Sequence, residues 1–427
     1  MKTRLLVILA FVVACLAIGA ALYGVVCPHC GNEVDVTLSK PDAPPPEPPT
    51  PPSPPPAPRE RFVLGAGAFE IADSSALQKA GLTNTEFIAW WRDVAGGTWN
   101  RFQTLAYHND PARGRGLPAI VHVGPDPKYS EAAVVAYLEQ SAKWSSNFAW
   151  HMYDEKPWDD SRYTLGGKSP WYWLDYVRAR WPRMLVFTGP LGWTAYNGTE
   201  HFAPFDAIVS YQNATRDGRD PYDFWYHQAL ANLYGKPLVF SCNLLDSGEP
   251  PDFADPARYE TFLRQGAYAN ALLIWGSGRL FLVAKGVKAG VHAERVPELL
   301  DLIKRVPEFQ EAEKFDRPKV KLAFEVPSSA SGNGWKRNCG LCRIAGRAGF
   351  DPVPVLLGDG ELPSGGAWGF DGAALMLTDG TRQIPMPEKY LGLLVWRADP
   401  GHWTPELDAR VEKMEADMAE GLKGATP

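Results

Sequence analysis

Short apolar runs alternate with amphipathic segments through most of this chain. Eight runs between residues 62 and 275 have the length and composition of buried strands. They are Phe62–Phe69, Phe102–Tyr107, Ala119–Val123, Phe148–Tyr153, Met184–Thr188, Ala207–Tyr211, Leu238–Cys242 and Ala271–Trp275. Apolar residues at helical spacing occur between and after them, at Thr85–Val94, Glu131–Trp144, Trp171–Arg180, Asp223–Tyr234, Pro256–Ala269 and Val296–Val306.

This alternation predicts an α/β protein built from parallel βαβ units. Eight strands in roughly 250 residues fit a (β/α)8 TIM barrel, which we place at residues 61–315. A doubly wound open sheet is the alternative. No Gly-x-Gly-x-x-Gly follows the first strand and no phosphate-binding loop occurs, so nucleotide chemistry loses support.

A second pattern of strands and helices begins after Pro318 and predicts a small α/β domain at residues 316–427. Its predicted strands are Val320–Val326, Val353–Leu357, Ala373–Leu377 and Gly392–Val395, and its predicted helices are Cys339–Ala348 and Pro405–Leu422.

The N-terminal 26 residues have the pattern of a membrane segment. Lys2 and Arg4 precede a charge-free apolar stretch at residues 5–26, long enough for the ~20 residues that cross a bilayer. We expect a transmembrane anchor with the body of the chain on the extracytoplasmic side. A cleaved signal peptide and a lipoprotein modified at Cys15, in the lipobox-like Val-Val-Ala-Cys, are the alternatives.

Residues 27–60 predict a knuckle and a linker. Cys27-Pro-His-Cys30 supplies two of the four ligands of structural zinc, which Cys339 and Cys342 would complete, or it forms a disulfide. The proline-dominated stretch Pro41–Pro58 is an extended, semi-rigid spacer.

The charge, the aromatic content and the positions of the histidines each narrow the classes of function to be expected. The net charge of −6 argues against a nucleic-acid surface. Sixteen Trp and sixteen Tyr residues are many for 427 residues, and aromatic faces stack on sugars as well as filling cores. The histidines His108, His122 and His151 are too scattered to predict a metal centre, so no catalytic metal and no cofactor is expected.

Two acidic residues, Asp154 and Glu155, follow the fourth predicted strand directly. Carboxylates are costly in a core, and active sites of parallel barrels lie at the carboxyl ends of the strands. We therefore predict a catalytic site here. The alternative is structural, with Asp154 capping the next segment and Glu155 in a salt bridge.

Polar and aromatic residues also end the other predicted strands. Those taken as candidates for substrate binding are Tyr107, His108, His122, Tyr211, Gln212, Asn243 and Trp275.

The segment Trp150-His-Met-Tyr-Asp-Glu-Lys-Pro157 resembles the end of strand 4 in retaining-type (β/α)8 glycoside hydrolases, and Ile274-Trp-Gly276 resembles their strand 8. The resemblance implies that Glu155 is the acid/base, that Asp154 helps to hold the sugar and that Trp275 lies under the ring. It implies a carbohydrate partner. A similar but weaker resemblance of residues 316–427 to the flavodoxin-like, amidotransferase-type domain of some β-galactosidase-like enzymes implies homo-oligomerisation.

The chain departs from that family at strand 7, which ends without the second carboxylate that hydrolysis needs. Asp246 and Glu249, a few residues later, are the candidates for this role, and Asp110 is another. Without a carboxylate pair the barrel would bind glycans or build a surface structure without cutting. Retaining and inverting mechanisms both remain open.

Overall fold

The structure is a computed structural model that describes residues 62–66, 77–94, 102–105, 119–123, 129–142, 147–152, 164–182, 185–188, 205–213, 223–245, 252–287, 290–325, 334–357, 366–377, 380–397 and 404–425. The predicted anchor, lipobox, Cys27–Cys30 knuckle and proline-rich spacer lie outside these residues. Within them, no helix has both the length and the apolar character needed to cross a bilayer.

All eight predicted strands of the first part are present. They are β1 (Phe62–Ala66), β2 (Phe102–Leu105), β3 (Ala119–Val123), β4 (Asn147–Met152), β5 (Leu185–Thr188), β6 (Ala207–Asn213), β7 (Leu238–Asn243) and β8 (Ala271–Trp275).

The eight strands form one parallel sheet in the order β1-β8-β7-β6-β5-β4-β3-β2. This order runs in one direction and lacks the reversal of a doubly wound sheet, so that alternative is wrong. The two edge strands, β1 and β2, approach each other within 8 Å between Cα atoms. Hydrogen-bonded pairing between them is not among the described strand pairs, so closure of the predicted barrel is not established.

Among the residues that the structure describes, eight α-helices accompany this sheet. They are α1 (Asn84–Val94), α2 (Glu131–Ala142), α3 (Pro170–Arg180), α4 (Asp223–Leu233), α5 (Pro256–Gly266), α6 (Ser277–Ala284), α7 (Val296–Lys304) and α8 (Val306–Ala312).

Capping side chains and prolines fix the first residues of two of these helices. The Ser169 hydroxyl accepts a hydrogen bond from the Tyr172 amide at 3.2 Å, and Pro170 opens α3. Asp255 accepts from two amides at the start of α5, at 3.1 and 3.2 Å, and Pro256 follows it. These caps satisfy amides that have no partner within the helix, and proline there loses no hydrogen bond.

The C-terminal part forms a second sheet with its own helices. Its elements are β9 (Lys319–Phe324), α9 (Gly334–Arg347), β10 (Asp351–Leu356), β11 (Trp368–Asp371), β12 (Ala374–Leu377), β13 (Gln383–Pro385), α10 (Tyr390–Arg397) and α11 (Pro405–Ala425). The predicted strand Gly392–Val395 is wrong, because it lies inside α10, where Tyr390 and Leu394 are buried one turn apart. A short apolar run does not distinguish strand from helix.

The second sheet has the strand order β10-β9-β11-β12-β13. This is the flavodoxin-like order 2-1-3-4-5. Only β9, β10 and β11 are parallel, however, and β12 and β13 continue the sheet as antiparallel hairpins. The predicted flavodoxin-like sheet is therefore replaced by a mixed one.

Helix α4 joins the two parts of the chain. Asn232 Nδ2 donates hydrogen bonds to Asp351 Oδ1 and to the carbonyl of Pro352, both at 2.8 Å. The Arg317 guanidinium lies 4.8 Å from the ring centre of Trp225 and 4.6 Å from that of Tyr268. Residues 57–427 accordingly form one compact unit.

The close approach of α4 and α9 at Gly346 gives a stability prediction. A Cβ atom at Gly346 would overlap the indole ring of Trp225. We expect Gly346→Ala to lower the free energy of unfolding by about 1–3 kcal/mol, as overpacked cores do, in urea denaturation. Gly392→Ala in α10 is the control, because its Cβ would enter open space. It should be neutral or stabilising by up to about 1 kcal/mol, and an equal loss in both variants would contradict the prediction.

The cysteines Cys339 and Cys342 are fully buried on α9, and neither forms a disulfide. Burial raises the pKa of the Cys342 thiol, which disfavours the thiolate that zinc requires. Cys27 and Cys30 lie outside the described residues, so a zinc site shared by the two pairs stays a prediction. Cys242 is fully buried in β7.

Candidate active site at the carboxyl edge of the first sheet

The parallel strands bring their carboxyl ends to one edge of the first sheet. Backbone register sets Asn213 level with Asn243, and Asn243 level with Trp275, on the neighbouring strands β6, β7 and β8. One layer below, Tyr211 is level with Ser241. Three of the predicted binding residues, Tyr211, Asn243 and Trp275, are thus brought to adjacent strand ends.

The side chains of β7 alternate between two environments. Leu238, Phe240 and Cys242 belong to the main hydrophobic core, which the helices share. Ser241 and Asn243 occupy the alternate positions and so point to the other face of the sheet. The backbone of Gln212 is level with Cys242 of the same strand pair.

Two polar oxygens on this face of β7 lack partners among the described residues. They are Ser241 Oγ, on a residue with 0% exposure, and Asn243 Oδ1. A buried polar atom without a hydrogen bond costs about 1–3 kcal/mol and marks a place where a water or a ligand group belongs. The sequence analysis did not name Ser241 as a candidate. A serine between Phe240 and Cys242, in an otherwise apolar strand, could have indicated it.

Strand β4 leads to the predicted acidic pair. Trp150 and Met152 are fully buried in a second core cluster with residues of α2 and α3. His151 lies between them and is level with His122 of β3. The strand ends at Met152, two residues before Asp154. Asp154 and Glu155 themselves lie outside the described residues, as do Tyr107 and His108.

The loop after β7 carries the predicted partner carboxylates. Asp246 and Glu249 lie outside the described residues, but both ends of their loop are described. Leu245 pairs with Phe253 in an antiparallel bridge, and the Ala254 amide donates to the Leu244 carbonyl at 2.9 Å. The loop therefore leaves from and returns to the carboxyl end of β7.

A histidine–aspartate pair next to this loop was not predicted. His292 Nδ1 lies 2.6 Å from Asp252 Oδ1, and both side chains are about half-exposed. His292 has a φ of 55°, in the left-handed region that non-glycine residues rarely adopt. The pair forms because the Phe253 amide donates to the Val291 carbonyl at 3.1 Å. The two residues are forty positions apart, and no spacing rule predicts their contact.

Behind β6, His227 of α4 is buried with its Nδ1 atom 2.8 Å from Ser210 Oγ. Burial lowers its pKa from 6.5 to about 3, because the charged imidazolium loses its hydration. Ser210 has the same register parity as Ile208, which belongs to the helix-side core. His227 therefore lies on the helix side of the sheet and serves stability.

The buried His227 predicts a pH dependence of stability. The unfolded chain takes up a proton at this residue near pH 6.5, whereas the folded chain takes it up only near pH 3. Stability is therefore complete above pH 6.5 and falls by about 1.4 kcal/mol per pH unit as the pH drops through this window. His227→Asn, measured by urea unfolding between pH 7 and 4, should flatten this slope. An unchanged slope in this variant would contradict the prediction.

Among the described residues, no three His, Cys, Asp or Glu side chains converge to hold a metal ion.

Comparisons with known proteins give no family. No family model matches the chain, and no curated protein matches it. It is similar to a curdlan-specific exo-β-1,3-glucanase of GH128 subgroup III from Blastomyces gilchristii, at 14% identity over 57% of this chain and 97% of that one, with a TM-score of 0.34. A GH128 subgroup VII oligosaccharide-binding protein from Trichoderma gamsii shows 14% identity, with coverage of 59% and 96% and a TM-score of 0.35.

A third similar structure, the BexX/CysO complex of Amycolatopsis orientalis, shows 14% identity, with coverage of 60% and 93% and a TM-score of 0.31. TM-scores of this size do not establish a shared fold, so these similarities carry no argument about function.

Proposed function

We propose that this protein is a glycoside hydrolase whose active site lies at the carboxyl edge of the first sheet, closed into a barrel by β1 and β2. The observation that carries the proposal is that Asn213, Asn243 and Trp275 are level at adjacent strand ends, and that Ser241 Oγ and Asn243 Oδ1 of β7 have no hydrogen-bond partner among the described residues. Amide and hydroxyl groups match sugar hydroxyls, and a tryptophan ring matches the apolar face of a sugar. The edge is also where Asp154 and Glu155 follow β4 in the sequence.

In the proposed mechanism Glu155 is the general acid that protonates the glycosidic oxygen as the bond to the anomeric carbon breaks. Asp246 or Glu249 is the second carboxylate, and the pairing of Leu245 with Phe253 supports a place for their loop at the same edge. If the partner carboxyl lies about 5–5.5 Å from Glu155, it attacks the anomeric carbon and forms a covalent glycosyl-enzyme, and a water that gives its proton to Glu155 then displaces the carboxylate, with net retention. If it lies about 6.5–9.5 Å away it activates a water, with inversion.

The second candidate is a barrel that binds glycans without cutting them. It is favoured by the end of β7, where Asn243 stands at the position at which the resembled hydrolases carry a carboxylate. Sugar recognition by Asn243 and Trp275 would serve this function equally well.

The proposal includes an extracytoplasmic location through the apolar residues 5–26. The sequence supports it by placing a proline-rich spacer between this stretch and β1. Expression of the full chain should yield protein in the membrane fraction that resists extraction by high salt but dissolves in detergent. Recovery in the soluble fraction without detergent would contradict the anchor.

The experiment that separates the two candidates incubates the full chain with a panel of polysaccharides and measures new reducing ends, with affinity electrophoresis on the same glycans. A hydrolase releases reducing ends from at least one glycan. Retardation in the gel without release of reducing ends would support the binding function and reject hydrolysis.

A further inference from the structure

The C-terminal sheet carries a cavity of about 330 Å³ that the proposed active site does not use. Its walls come from the ends of β9 and β10, from β11 and β12, and from the first half of α9. The lining residues that matter for its chemistry are Glu325, Arg337, Asn338, Leu341, Phe370 and Asp371. The volume is within the roughly 300–1,000 Å³ range of small-molecule sites.

The position of this cavity in the sheet is the one at which open α/β sheets bind ligands. From β9 the chain crosses through α9 to β10 on one side, while β11 pairs with β9 on the other side. The crossing direction therefore reverses between β9 and β11, and Ala323, Glu325, Gly369 and Asp371 line the cavity from these two strands. Ligands of such sheets bind outside the carboxyl ends of the strands at this switch point.

The charges at the cavity argue against a phosphate, the ligand that helix N-termini often bind. Glu325 already lies at the start of α9, where its Oε2 atom is 3.1 Å from the position of a Cβ on Gly334. Its Oε1 atom accepts a hydrogen bond from Arg337 at 3.0 Å, so the one cation of the lining is already paired. An anion would have to displace this carboxylate.

The strand end that carries Glu325 is also fixed in place. Asn338 Oδ1 accepts a hydrogen bond from the Glu325 amide at 3.1 Å, and Asn338 Nδ2 donates to the Glu325 carbonyl at 3.0 Å. Asn338 itself is only 1% exposed. These bonds hold the acidic rim in one place relative to α9, as a preorganised site requires.

The remaining charge is negative. Asp371, at the end of β11, is exposed and makes no ion pair with any described residue, while the walls below it are mainly apolar, as at Leu341, Phe370 and Met376. An unbalanced carboxylate above an apolar cavity complements a molecule with an apolar body and a cationic head. We propose that this cavity is a second ligand site, independent of the glycan site, that binds a small organic amine.

The test uses three probes of similar shape and different charge: phenethylamine, phenethyl alcohol and hydrocinnamate. With the full chain, we expect phenethylamine to raise the unfolding temperature and to bind measurably in calorimetry, ahead of the alcohol and the anion. Asp371→Asn should weaken amine binding about fivefold, the size of a partly exposed ion pair. Asp371→Lys should reverse the order of affinity, so that hydrocinnamate binds more tightly than phenethylamine.

The control is Asp417→Asn on α11, an exposed carboxylate that pairs with Lys413 at 3.1 Å, and it should leave amine binding unchanged. Equal binding of the three probes, no binding of phenethylamine, or the same amine affinity in Asp371→Lys as in the original chain would each overturn the proposal. None of these results depends on whether the barrel cuts glycans.

Discussion

Replacing Glu155 with glutamine should lower the rate of glycosidic bond hydrolysis by about 10²- to 10⁴-fold, the usual contribution of a general acid. Glutamine keeps the size of the side chain but has no proton of suitable pKa to give to the leaving oxygen. We expect the loss to appear in kcat, measured as reducing ends released per minute, with a smaller change in KM. Glycan retardation in affinity electrophoresis should persist.

Controls distinguish this role from a structural one. Glu298→Gln, an exposed glutamate in the first turn of α7, should leave the rate within a factor of two, since it lies outside the proposed site. Asp154→Asn should reduce binding more than kcat if Asp154 holds the sugar. Full activity of the Glu155→Gln variant, with unchanged circular dichroism, would remove Glu155 from the mechanism.

The largest expected effect on stability is at Glu415. This carboxylate is 0% exposed, accepts a hydrogen bond from Arg343 Nε at 2.9 Å and one from the Tyr390 hydroxyl at 2.9 Å, and pairs with a second nitrogen of Arg343. Arg343 is 3% exposed, so Glu415→Gln would leave a buried cation uncompensated. We expect a loss of about 3–5 kcal/mol in the free energy of unfolding, measured with urea.

A matched control exists one helical turn earlier. Glu412 pairs with Arg347 at 3.4 Å, and both side chains are well exposed, at 48% and 36%. Glu412→Gln should therefore cost under about 1 kcal/mol. The double variant Arg343→Met, Glu415→Leu should recover most of the stability, because it removes both buried charges together. A loss below about 1 kcal/mol for Glu415→Gln would contradict this description of the pair.

The eight strands of the first sheet were predictable because each is an apolar run bounded by turn residues or by a helical pattern. The parallel orientation of its strands followed from the alternation of strands with helices. In the C-terminal part the same reasoning missed β11 and β13. Trp368–Asp371 and Gln383–Pro385 have too few apolar residues to show a period, and their pairing with β12 is a tertiary property.

The candidate site was only partly readable from the sequence. Asn243 and Trp275 were predicted because they end apolar strands, and the register brings them level. The contact of Asp252 with His292 depends on the packing of two loops, and sequence spacing carries no information about it.

The measurement that tests the central claim most directly is the separation of carboxyl groups at the carboxyl edge of the first sheet, in a crystal structure of this protein with a bound oligosaccharide. We predict that the carboxyl of Asp246 or Glu249 lies within about 5–10 Å of that of Glu155, with the sugar ring against Trp275. A Glu155 carboxyl with no other carboxylate within about 10 Å, or a sugar bound elsewhere, would contradict hydrolysis by this site.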